Sequence, residues 1–190
     1  MKLIFATHNK NKLLEIGAMM PSNFELLSLD DIGCTEDIPE TAETIEGNAI
    51  LKADYVKQHY KLDCFADDTG LEVESLHGEP GVHSARYAGN RKNDDANISK
   101  LLDNLKDTNN RKAQFKTVIA LNLNDHQILF IGICTGQITR ARRGSFGFGY
   151  DSVFQPDGSD KTFGEMTLEE KSTFSHRGKA IRDLLDYLSS

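Results

Sequence analysis

Two runs of β-branched and aliphatic residues, Phe115 to Leu123 and Gln127 to Thr135, lie almost end to end in mid-chain, with Asn124 and Asp125 between them. Such runs read as strands, and so short a link joins them as a hairpin. This pair bounds the fold. A chain that puts a helix after every strand builds a purely parallel sheet, and this one does not. Elsewhere strand and helix patterns interleave. Lys2 to Ala6 reads as a buried strand and Phe24 to Leu29 as a second, with Leu13, Ile16 and Met20 at helical spacing between them until Pro21. Ile45, Ala49, Ala53, Val56 and Tyr60 make one apolar stripe of a helix that opens after Thr44, and Asn48 and Lys52 share a face beside it. Cys64 to Ala66 reads as a short strand ending at Asp67-Asp68-Thr69-Gly70, Leu71 to Glu74 as another, and His77 to Gly89 as loop. Ile98, Leu101, Leu102 and Leu105 mark a helix capped by Asn93 or Asp94. Thr167-Leu168-Glu169-Glu170 has capping-box form, and Ala180, Ile181, Leu184, Leu185 and Leu188 give a final amphipathic helix. The expectation is an α/β fold with a mixed sheet and flanking helices.

The 190 residues suit a single domain over 1–190 with enough length for a core of its own. Twenty-two basic residues against 29 acidic ones leave a net charge of -7, which argues against sequence-independent nucleic-acid binding. No apolar run nears the ~20 residues of a membrane helix. The opening MKLIFATHNKNK has too short an apolar stretch for a signal peptide. Cys34, Cys64 and Cys134 are few and far apart, which suits a reducing cytoplasm and excludes a CxxC metal site.

Four segments bear chemistry. Thr7-His8-Asn9-Lys10-Asn11-Lys12 joins a strand to a helix, where open backbone N–H groups, two lysines and neutral donors suit phosphate; the same residues also make an ordinary helix start capped by Asn9. No Walker A loop is present. Glu40, Glu43, Glu46 and the pair Asp67-Asp68 form an acidic set. Adjacent carboxylates after an apolar strand call for a cation such as Mg²⁺, although Asp-Asp-Thr-Gly also has the composition of a tight turn with Gly70 at positive φ. Arg143 to Asp151 combines glycines with Phe146, Phe148 and Tyr150, able to stack on a planar base or to fold back on the core. Lys171 is followed by Ser175-His176-Arg177, where Ser175 reads as an N-cap and His176 and Arg177 fall in the first turn; positive charge there is disfavoured by the helix dipole, a conflict that points to function, although the pair also reads as an ordinary surface His and Arg.

Together these segments resemble the inosine triphosphate pyrophosphatase family, hydrolases of non-canonical purine nucleoside triphosphates. THNKNK at 7–12 is similar to its [ST]xNxxK motif, Glu40 with Asn48-Ala49 and Lys52 to its acidic residue and NAxxK, and ADDTGL at 66–71 to its ADDSGL. PGVHSARYAG at 80–89, FGYD at 148–151 and SHRGKA at 175–180 match the rest. Six motifs in this order, from Leu3 to Leu188, are specific where each alone is not. Ser152 stands where the family has Pro, Ser172 where Asn is common, and Thr69 where Ser is usual.

The resemblance implies an elongated mixed α/β structure with two lobes around a central nucleotide-binding cleft, a cytoplasmic homodimer, and cleavage of ITP, dITP and XTP to the monophosphate and pyrophosphate with Mg²⁺ as cofactor. By the same resemblance Thr7, His8, Asn9, Lys10, Asn11, Lys12 and Lys52 hold the triphosphate. Glu40 and Asp68 hold Mg²⁺, with Asp67 and Lys12 beside them. Asp68 accepts the proton from water, Thr69 contacts the substrate, Phe148, Gly149, Tyr150 and Asp151 flank the base, and Lys171, His176 and Arg177 read it. A phosphatase releasing orthophosphate and a non-catalytic nucleotide-binding module are the rival readings.

Overall fold

The elements of the computed structural model follow from local patterning. They are β1 (Lys2–Phe5), α1 (Lys10–Gly17), β2 (Glu25–Leu27), α2 (Ile45–Tyr60), β3 (Cys64–Val73), β4 (Pro80–Gly81), α3 (Asp94–Asn104), β5 (Lys112–Leu123), β6 (His126–Ile138), β7 (Phe154–Pro156), α4 (Leu168–Phe174) and α5 (His176–Ser189). The structure describes residues 2–124 and 126–190, so Asp125, half of the expected hairpin turn, lies outside the described residues. Hydrogen-bonded strands run in the order β2-β1-β3-β5-β6-β7, with β4 also on β3. β1 pairs in parallel with β2 and β3, whereas β3–β4 and β6–β7 are antiparallel, so the sheet is mixed. Thr44, Asn93 and Thr167 cap α2, α3 and α4 as their spacing predicts, each side chain accepting a backbone N–H of the first turn.

The chain divides into two compact units. The first comprises Met1–Asp68, Thr117–Gly132 and Arg177–Ser190. Its core takes Leu3 and Phe5 from β1, Phe65 from β3, Ile119 and Leu121 from β5, Ile16 from α1, and Ala180, Ile181 and Leu184 from α5. The alternation 3, 5 and 119, 121 is the two-residue period of strands, and the intervening Ile4, Val118 and Ala120 are buried on the other face. Phe5 and Phe65 stack with centroids 4.6 Å apart and planes within 2°. On the opposite face of β3, the Cys64 thiol donates to Ala53 O of α2 at 3.3 Å.

The second unit comprises Thr69–Lys116 and Ile133–His176. Leu71, Val73, Ile98, Leu101, Leu105, Phe115, Phe154 and Phe163 are its central residues, with Phe115 edge-on to Phe154 at 4.7 Å. Arg111 is buried, and its guanidinium donates to the carbonyls of Leu105, Ile138 and Thr139, pinning three segments at once.

Two readings of the sequence are corrected here. β3 does not stop at Asp67 but runs for ten residues through Asp67-Asp68-Thr69-Gly70, and Gly70 is not among the positive-φ glycines. Pairing holds the strand extended at both ends, with β1 at Cys64 and Phe65 and with β4 at Leu71 and Glu72. Leu71 to Glu74 is therefore not a separate strand. β7, only three residues long, escapes any periodicity argument. Among the described residues no helix is long and apolar enough to cross a membrane.

Candidate active site

In the first unit the functional side chains gather around β3. Successive side chains of a strand leave on opposite faces, which separates Asp67 from Asp68. Asp67, 1 % exposed, meets α1 and α5: Lys12 Nζ donates to its Oδ1 at 2.7 Å and Arg177 Nε to its Oδ2 at 3.1 Å. Arg177 also donates through Nη1 to Glu15 of α1. Burial by itself would raise the Asp67 carboxyl, but Lys12, Arg177 and Lys52 outweigh it and hold Asp67 well below the usual carboxylate range. Burial likewise lowers the Lys12 ammonium against the pull of Asp67, whereas Glu15 and Asp67 overcome burial and raise Arg177.

Asp68 faces α2. Asn48 Nδ2 donates to its Oδ2 at 3.3 Å, and Lys52 Nζ lies 3.6 Å from its Oδ1. The same ammonium donates to Glu40 Oε1 at 2.7 Å, so Lys52 stands between two carboxylates. Burial pushes the Asp68 carboxyl above its usual value; Lys52 and Lys12 oppose the rise, and Glu40 and Asp67 add to it. Lys52 is raised, Asp68 and Glu40 outweighing its burial. Adjacent residues thus reach opposite acidities, the pattern by which one site separates a fixed anion from a proton acceptor.

Glu40 and Asp68 already aim two oxygens at one cationic centre, and Glu40 is exposed. Mg²⁺ takes one or two carboxylates and fills its remaining positions with water and phosphate oxygens, so this donor set fits it. Among the described residues there is no cluster of three or more His, Cys, Asp or Glu side chains placed to cage a metal without a substrate.

The segment before α1 behaves less openly than its composition suggests. Asn9 is the N-cap, and its Oδ1 accepts the N–H groups of Asn11 at 3.0 Å and Lys12 at 3.2 Å, so those two amides are not open donors. Thr7 Oγ1 accepts from Asn9 N at 3.1 Å. His8 is tied elsewhere, its Nδ1 to Asp30 Oδ1 at 2.9 Å and its Nε2 to Glu36 O at 3.1 Å. Lys10 and Asn11 are exposed.

The second unit carries the aromatic loop. Asp151 Oδ2 accepts Phe148 N–H at 2.9 Å and Lys171 Nζ at 2.5 Å, which closes 148–151 into a ring. Lys171 also lies 5.1 Å from the centroid of Phe148, over its ring. Gly147 must lack a side chain, because a Cβ there would meet Asp151 Oδ2 at 2.0 Å. Tyr150 OH donates to Ser84 O at 2.8 Å, and Gly149 N–H to Asp94 Oδ2 at 2.7 Å. His176 is buried with its ring stacked on Phe115 at 4.5 Å. Thr69 opens this unit on β3.

The structure therefore gathers Lys12, Glu40, Lys52, Asp67, Asp68 and Arg177 in the first unit and Phe148 to Asp151 with Lys171 in the second. It also brings in Glu15, Asn48 and Asp94, which sequence reasoning did not single out as site residues. Asn48 had a signal, its place one turn before Lys52; Glu15 and Asp94 had none, because their partners lie 162 and 55 residues away.

The chain is similar to known proteins along its whole length. The chain is 60 % identical over 190 residues to a dITP/XTP pyrophosphatase of Flavobacterium johnsoniae, covering all of this chain and 99 % of that protein. A dITP/XTP pyrophosphatase of Porphyromonas gingivalis is 54 % identical, with 98 % of this chain and 97 % of the relative covered. Among solved structures, the Ham1 protein of Staphylococcus aureus superposes with a TM-score of 0.90 at 38 % identity, over all of this chain and 98 % of that one. The profile of the Ham1 family matches residues 3–187, and the chain belongs to that family.

Proposed function

We propose that this protein hydrolyses deaminated purine nucleoside triphosphates (dITP, XTP and ITP) between the α- and β-phosphates, yielding the nucleoside monophosphate and pyrophosphate, with Mg²⁺ as cofactor. The observation that carries the reading is the division of labour on β3, where Asp67 is held anionic between Lys12 and Arg177 while Asp68 is raised toward a base. Its curated relatives in Flavobacterium and Porphyromonas bear the names of dITP/XTP pyrophosphatases, which supports the substrate class.

In this mechanism Lys12 and Lys52 offset charge on the phosphates, and Asp67 keeps Lys12 at its post. Phosphoryl transfer asks a protein for positioning and charge stabilisation more than for covalent work, and lysines on a rigid strand–helix frame supply both. Asp68 takes the proton of the attacking water, its burial-raised pKa making it a stronger base than an ordinary carboxylate. Asn48, donating to Asp68, orients the carboxylate. When bound at Glu40 and Asp68, Mg²⁺ supplies further positive charge against the phosphate oxygens. Phe148 to Asp151 flank the base. Arg177, made rigid by Asp67 and Glu15, and His176, fixed on Phe115, donate to the C6 oxygen. Adenine presents an amino group there and leaves such donors unpaired, a mismatch that rejects a ligand by ~10⁴-fold in sites of this kind. In the same reading the protein works as a cytoplasmic homodimer and binds neither nucleic acid nor membrane.

A panel of nucleoside triphosphates, scored separately for pyrophosphate and orthophosphate, tests the proposal. We expect pyrophosphate from dITP, XTP and ITP with Mg²⁺, little from dATP, and none after chelation of the metal. Orthophosphate as the first product would make the protein a phosphatase, and tight binding without turnover a non-catalytic module.

A further inference from the structure

A loop that grips a planar base must hold one shape, and 144–151 has neither helix nor strand to enforce it. Part of the restraint is internal, through Asp151 and Lys171. The remainder comes from α3. Asn93 caps this helix, which makes Asp94 its first helical residue, where the N-terminal dipole favours a carboxylate. From there Asp94 Oδ2 reaches Gly149 N–H at 2.7 Å, a charge-assisted bond across 55 residues of chain. Gly149 sits between the two aromatics of the ring and has φ of +59°, a left-handed conformation open to glycine, in which its N–H is directed at Asp94. One turn along, Asn97 donates to the carbonyls of Ser84 and Ala85 at 3.3 and 3.1 Å, and Ser84 O is also the acceptor for Tyr150 OH. Arg142, before the glycines, is fastened to Asp95 and to Ser99 Oγ. The first turns of α3 thus hold the loop ahead of its glycines, at Gly149 and at Tyr150.

We propose that Asp94 is a positioning residue for base recognition, acting through Gly149 to hold Phe148 and Tyr150 in the base-binding shape. The proposal rests on the reading that Phe148 to Asp151 flank the base. Asp94 is exposed, so the bond sets the conformation of a surface loop and adds little to the stability of the fold. The expected signature is therefore kinetic and confined to the base.

The test compares Asp94→Ala with Asp94→Asn, which keeps an acceptor oxygen. The readouts are steady-state pyrophosphate release from dITP with Mg²⁺, inhibition by inorganic pyrophosphate as a probe without a base, and the thermal midpoint. For Asp94→Ala we expect KM for dITP to rise by about fivefold to tenfold, with kcat nearly unchanged. The pyrophosphate inhibition constant should stay at its wild-type value, the midpoint should fall by no more than a few degrees as the helix loses a first-turn carboxylate, and Asp94→Asn should restore KM. An unchanged KM in Asp94→Ala overturns the proposal. So does a parallel weakening of pyrophosphate inhibition, or an Asn variant that behaves like Ala. If the wild-type protein releases no pyrophosphate from dITP, the functional reading itself falls and takes this inference with it.

Discussion

Asp67 and Asp68 are adjacent, feel the charges of Lys12 and Lys52 alike, and differ in the side chains they bond. Both oxygens of Asp67 are engaged by cations in a buried setting, whereas Asp68 has Asn48 and Lys52 on its side of the strand and an acidity shifted the other way. The same substitution at each must therefore fail differently. Asp68→Asn is expected to lower kcat by ~10²–10⁴-fold, because an amide cannot take the proton, while the thermal midpoint holds. Asp67→Asn leaves the buried Lys12 charge without its paired carboxylate and Arg177 with Glu15 alone, and is expected to destabilise the protein by about 3–5 kcal/mol. Denaturant melts and pyrophosphate-release kinetics on both variants check this, and a well-active Asp68→Asn enzyme would remove Asp68 as the base.

At the scale of elements, the loop before β7 is held by backbone approach as well as by side chains. A Cβ on Gly144 would lie 1.9 Å from the carbonyl oxygen of Gly164, in a stretch where Phe146 N–H donates to that same oxygen at 2.9 Å. Gly144→Ala should destabilise by about 1–3 kcal/mol through overpacking. Gly158→Ala, at a similar positive φ but with open space around its Cβ, is expected to fall near the lower end of that range, and paired urea melts read the difference. Helix starts were legible in the sequence because a cap is a local device: Thr44, Asn93 and Thr167 each bond within their own first turn. β3 was not, because two adjacent carboxylates beside Thr-Gly have turn composition, and the cations that make them tolerable arrive from 55 and 110 residues away. The candidate site was legible in the same uneven way. Its residue types stand out as motifs, but the pairing of Arg177 with Glu15, or of Gly149 with Asp94, is a product of folding that no spacing announces.

Across the whole molecule, each unit buries an acid that must keep its proton. In the first, burial pushes the Cys64 thiol up to about 12; in the second, burial raises the Tyr150 phenol, with Tyr87 and Asp94 adding to it. A folded pKa above the unfolded one leaves stability intact below the unfolded value and removes it as pH climbs toward the folded value. The unfolded thiol and phenol titrate near ~8.5 and ~10, so the thermal midpoint should be level through neutral pH and fall above about 9. Replacing Cys64 with Ala should flatten the first part of that decline in melts taken between pH 7 and 11. The alternating sides of β3 carry a consequence for divergence. One residue gained or lost within the strand ahead of Asp67 would rotate the first carboxylate toward α2 and the second toward α1 and α5, exchanging the proposed anchor for the proposed base at a stroke. Descendants of this chain can swap side chains along that stretch, but any lineage that alters its residue count trades away the chemistry.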